Sequence, residues 1–68
     1  MKPERMIHMA NQIALFFQTS PHDEAVAGVA THLKQFWEAR MLRQLHGHIA
    51  EGGGGLHDLV LDAAKTLQ

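Results

Sequence analysis

The sequence contains no cysteine and no tyrosine, a single tryptophan and only two prolines. Without cysteine there are no disulfides, no thiolate-held zinc and no iron–sulfur ligation. Neither sign of charge dominates: six Lys and Arg stand against seven Asp and Glu, a formal net charge of −1 at pH 7. Nucleic-acid binders of this size carry a basic excess, so that class is disfavoured. No apolar run reaches the length of a membrane span, and no basic start leads into an apolar signal segment. The chain reads as cytoplasmic, with no membrane or nucleic-acid partner.

What is there is a chain of 68 residues, 46% hydrophobic and 19% charged. That composition suits one globular domain over residues 1–68 rather than a disordered segment. At this length apolar burial and the entropy of ordering nearly cancel. Small domains of this kind lean on a stabiliser. With no disulfide available, another chain is the leading candidate, either a different protein or a second copy.

Strand signals are weak and helical spacing is clear throughout, which predicts an all-α fold, a small bundle of three to four short helices. Met6, Ile7, Ala10, Ile13, Ala14 and Phe17 share one face of a first helix from about residue 3 to 18. Pro3 suits its first turn and Glu4 its positive end. In TSPHDE, Ser20 reads as an N-cap, Pro21 as the first helical residue, and Asp23 and Glu24 as first-turn acids. Val26, Val29, Ala30, Leu33 and Trp37 then align on a second helix. Gly28 lies inside it, either as a tolerated glycine or as a point of close helix contact. Met41, Leu42, Leu45 and Ile49 mark a third helix, ended by the glycines at 52–55. Leu56, Val60, Ala63, Ala64 and Leu67 mark a fourth.

Several large apolar residues fall outside these stripes: Met9, Leu15 and Phe16 on the first helix, and Leu59 and Leu61 beside the stripe of the fourth. Phe36 sits at the margin of the second stripe, close to His32. Two readings stand: a contiguous exposed patch that serves as an interface, or helices covered on several sides that bury them. Trp37 reads as a core anchor. Phe36 and Arg40 read as partner-facing, being of the types that dominate interface energies.

Candidate chemistry is sparse. His46 and His48 are two apart and diverge on a helix. No histidine pair shows the four-residue spacing that places two ligands on one face, so a metal site is not expected. Ser20 reads as a cap and not as a nucleophile. Asp58 and Asp62, one turn apart, read as a solvated face. The glycine run lacks the Lys-Ser/Thr of a phosphate loop and has no strand before it. No active site of its own is expected.

Three stretches carry a resemblance: MANQIALFF at 9–17, GVATHLKQFWEARM at 28–41 and GGGGLHDLVLDAAKTL at 52–67. In order and spacing the chain resembles the delta subunit of NAD-dependent formate dehydrogenase. The likeness implies a small accessory member of a soluble, cytoplasmic, multi-subunit enzyme, associated with assembly or stability of the complex. Its partners would be the larger formate dehydrogenase subunits. In that family the larger chains hold a molybdenum or tungsten pterin, iron–sulfur clusters, flavin and NAD, and the delta subunit holds none. Carried over by matching position, the partner-facing residues would be Asn11, Gln12, Phe16, His32, Phe36, Trp37, Arg40 and Met41, with Met9 added from the apolar surplus. The amides of Asn11 and Gln12 either pair with partner backbone or face solvent. The family pattern FWDPRM reads FWEARM here. Glu38 and Ala39 supply no proline break, which leaves open whether helices two and three turn sharply, bend gently or run on as one longer rod. Two other functions fit the residues: a homo-oligomeric helical adapter, and a helix-turn-helix nucleic-acid binder using Lys34, Arg40 and Arg43.

Overall fold

The computed structural model describes residues 1–67, in which four helices occur and no strand. Helix α1 spans Pro3–Phe17, with proline at its start and Glu4 in its first turn. Met6, Ala10 and Ala14, spaced by four, form its fully buried line. Two of these are alanine, which lets neighbouring helices approach closely. Ile7, Ile13 and Phe17 pack beside that line.

Helix α2 spans His22–Phe36 and buries Ala25, Val29 and Leu33. Its start lies one residue later than Ser20 and Pro21 imply. Pro21 is the N-cap, with ψ 148°, and no side chain caps the end. The Pro21 carbonyl accepts from the Ala25 N–H at 2.8 Å. Proline's fixed φ is common to helix and to extended backbone, so its presence leaves ψ open. Asp23 and Glu24 still occupy the first turn, where acids favour the helix dipole.

Of the alternatives for the α2–α3 junction, the continuous rod is not formed. Trp37 (φ −94°, ψ 133°) and Glu38 (φ −69°, ψ 157°) are both extended, and α3 spans Ala39–Ala50. A continuous helix over 22–50 would be roughly 43 Å long, whereas the longest dimension of the molecule is 29 Å. Trp37 extends the line of Ala25, Val29 and Leu33 by one more turn and is only 7% exposed. The break lets Leu45 of α3 fold back onto that same core, where it is fully buried. Two local propensities are overridden by the burial of two large side chains.

Three glycines of the loop after α3 have left-handed φ: Gly52 at 120°, Gly53 at 65° and Gly55 at 82°. The Gly52 and Gly53 N–H groups close the helix onto the Ile49 and His48 carbonyls at 3.0 Å each. At Gly53 an added methyl group would lie 2.9 Å from Leu61 Cδ2, so glycine is needed for space as well as for φ.

Helix α4 spans Asp58–Lys65 and is capped by His57, whose Nδ1 accepts from the Leu59 N–H at 3.0 Å. It buries Leu59, Val60, Ala63 and Ala64. The expectation that Leu59 is surplus is therefore corrected: it is 5% exposed. Leu61 is half-buried against the core. Helix α4 packs most extensively on α2 and also on α1, so its apolar arc is wide. Helix α3 packs more loosely than the other three.

Candidate docking surface

Burial on several sides explains α4 but not the ends of α1 and α2. Phe16 is 79% exposed, Phe36 is 68% exposed and Leu15 is 46% exposed. The two phenylalanines belong to one track. Phe16 meets Phe17 edge to face, ring centres 5.0 Å apart at 87°. The Phe17 ring lies over Gly28 of α2, so closely that an added methyl group there would sit 2.5 Å from Cε1. One turn along α2, His32 shares a shallow depression with Phe17 and Gly28. One turn further, Phe36 stacks on His32, ring centres 4.6 Å apart at 31°. Of the two readings of Gly28, close helix contact is the one realised.

The two end rings of this track are left uncovered by the chain's own fold, while Phe17 and His32 between them are half-buried. A phenylalanine moved from water to a buried site contributes about 2 kcal/mol. Two exposed rings at the ends of one track are therefore candidates for the centre of an interface.

The residues expected at a partner surface separate into groups. Phe16, Phe36, Gln12 and Arg40 are exposed, and His32 is half-buried beside Phe36. Met9 and Met41 are half-buried and pack on the core. Trp37 lies inside the core, as its anchor reading requires. Asn11 is directed inward, to its own chain. Its Nδ2 donates to the Gly55 carbonyl at 2.8 Å and its Oδ1 accepts from the His57 N–H at 2.9 Å. Its amide ties α1 to the glycine loop and the start of α4, so partner backbone is not where its hydrogen bonds go. Phe17 was missing from the expected surface because its position on the wheel places it on the core stripe. Only the glycine opposite it lets its ring extend the outer track.

The remaining polar groups form short links between elements. His22 Nε2 donates to Asp62 Oδ2 at 3.2 Å, and Lys65 lies 3.7 Å from Asp62 Oδ1. These groups are largely exposed, and such pairs contribute little to stability. Asp62 is thus occupied by two cationic or donor groups rather than paired with Asp58. His48 Nε2 donates to the Gly54 carbonyl at 2.8 Å. Gln44 Nε2 donates to the Met1 carbonyl at 2.7 Å, which holds α3 to the start of the chain. Among the described residues no polar or charged residue is buried, and no group of three His, Cys, Asp or Glu is placed to hold a metal ion. With no thiolate in the chain, the donor set does not fit an iron–sulfur cluster.

Residues 5–64 match the family model of the NADH-dependent formate dehydrogenase delta subunit, FdsD. This chain belongs to that family. The matched range takes in both ends of the aromatic track and the Asn11 tie to the glycine loop. The delta-subunit resemblance drawn from MANQIALFF and HLKQFWEARM is thereby established. No curated protein and no solved structure matches the chain. Among the described residues of this delta-subunit family member, no helix is long and apolar enough to cross a membrane.

Proposed function

We propose that this chain is a non-catalytic accessory subunit of a cytoplasmic NAD-dependent formate dehydrogenase, and that it supports assembly or stability of the complex by docking on a larger subunit. Family membership supports the complex to which it is assigned. One structural observation supports docking as the mode of action: Phe16 and Phe36 stand exposed at either end of one aromatic track. In this reading the molybdenum or tungsten pterin, the iron–sulfur clusters, the flavin and NAD all reside in the larger chains. The small subunit contributes apolar area that those chains cover. It acts as a clamp whose binding free energy is added to the folded, assembled state, since whatever binds only that state stabilises it.

The test is affinity purification of the tagged chain from its host, with identification of the co-purifying proteins. Formate dehydrogenase subunits in stoichiometric amount are the expected result. Deletion of the chain is expected to lower the yield or thermal stability of the assembled enzyme. Recovery of the tagged chain alone, or only as a homo-oligomer, would overturn the proposal in favour of a free-standing helical adapter.

A further inference from the structure

His57 joins three parts of the fold. Its backbone N–H donates to Asn11 Oδ1 of α1 at 2.9 Å, and its carbonyl accepts from the Val60 and Leu61 N–H groups at 2.9 and 3.2 Å. Its imidazole Nδ1 accepts from the Leu59 N–H at 3.0 Å. A backbone N–H can only donate, so Nδ1 must offer a lone pair and the ring proton sits on Nε2. Two other histidines bear on this end of α4 without that demand. His48 Nε2 meets the Gly54 carbonyl and His22 Nε2 meets the Asp62 carboxylate. Both acceptors want an N–H, and a doubly protonated ring still provides one. Leu59 is buried, so its N–H has no ready substitute in water if the cap is lost. Helices shorter than about 12 residues are marginal by themselves. Helix α4 has eight, so its start leans on capping and packing.

We infer that His57 is a neutral, Nε2-protonated cap of α4, and that its protonation releases the joint between α1, the glycine loop and α4. A proton on Nδ1 removes the lone pair and turns one N–H against another. It also places a cation at the positive end of a helix. Both effects act in the same direction. The cap is whole above the range in which histidine gains its charge, about pH 8 to 5, and is lost below it. The charged and titratable groups that face the ring come from each side. His22 of α2 and Asp58 of α4 line the same depression as His57, and His22 is itself engaged by Asp62. Helix α1 meets His57 with Asn11, which does not titrate, and residues 52–56 of the loop carry no titratable side chain. From α3, His48 reaches the loop at Gly54, through a bond that survives protonation. This device acts whatever partner the chain docks on.

The experiment is NMR of the isotope-labelled full-length chain at about pH 8 and about pH 5, the two ends of the histidine range. At the higher pH the His57 ring is expected as the Nε2–H tautomer, and an Nδ1–H tautomer overturns the assignment. At the lower pH, protection of the Leu59 amide, corrected for its intrinsic exchange rate, is expected to fall about fivefold or more. His57→Asn supplies a side-chain oxygen that caps without titrating, and is expected to abolish the fall. His57→Ala is expected to show low protection at both pH values. His48→Gln keeps a donor toward Gly54 and is expected to leave the fall in place; its abolition there moves the sensor to His48 and overturns the proposal. Unchanged Leu59 protection across the range also overturns it, as does an equal fall in His57→Asn. A loss that spreads to Val29 and Leu33 of α2 is decided by the same variant: absent from His57→Asn it supports the joint, and present there it overturns it.

Discussion

The α2–α4 pair and α3 are built on different principles. Ala25, Val29 and Leu33 of α2 meet Leu59, Val60, Ala63 and Ala64 of α4, all of them buried. Small residues on both sides, Ala25 on α2 and Ala63 and Ala64 on α4, allow close approach. Helix α3 buries Leu45 alone. It is otherwise held by half-buried Met41, Leu42 and Ile49 and by exposed hydrogen bonds from Gln44 and His48. The pair is knit by area, while α3 is hung from one side chain and two loops. Stability is therefore distributed unevenly, and the His32–Phe36 half of the aromatic track lies on the well-knit pair.

The comparison is broken most sharply at Leu33. Leu33→Ala leaves a cavity where α2 meets the core and is expected to cost about 3–5 kcal/mol, read as a fall in urea midpoint with loss of all helix signal together. Leu45→Ala is expected to cost less, about 2–3 kcal/mol, because a loosely packed helix can close over the gap. Its mark is local: amide exchange accelerates in α3 before it does in α2 or α4. Equal, global effects from the two variants would show that α3 is as firmly part of the core as the others. Asn11→Ala removes a donor and an acceptor that tie α1 to the glycine loop. About 2 kcal/mol is expected, with faster exchange at the His57 amide as the confirming signal. Gly53→Ala forces a methyl group against Leu61 at a left-handed φ and is expected to cost about 1–2 kcal/mol in the thermal midpoint. Phe36→Ala sits at the small end. Its ring is largely exposed, so stability is expected to shift by less than about 0.5 kcal/mol, while co-purification with the larger subunits falls.

Much of the helical content was legible in spacing. Met6, Ala10 and Ala14 recur every four residues, Val29 and Leu33 do the same, and a run of glycines stops α3. The candidate docking surface was legible in part. Phe16 and Phe36 stood out as aromatics off the apolar stripe, and the structure leaves them exposed. The errors share a cause. Leu59 was counted as surplus because a helical wheel cannot show that α4 is covered by both α1 and α2. Asn11 was aimed outward because its acceptor and donor, at Gly55 and His57, lie more than forty residues away in the chain. Phe17 packs on the core as its place on the stripe implies, and its further contact with Gly28 was hidden because nothing local shows that a glycine stands opposite it.

The amino-acid order by itself determined that this chain is helical and without cysteine chemistry. These properties follow from composition and from periodicity within a few turns. Only the tertiary structure decided where the chain breaks between α2 and α3, which surplus residues are covered, and how Phe16, Phe17, His32 and Phe36 join into one track. Each of those outcomes depends on which helices touch. Contact between distant segments is selected by the total area buried, a quantity no local window contains.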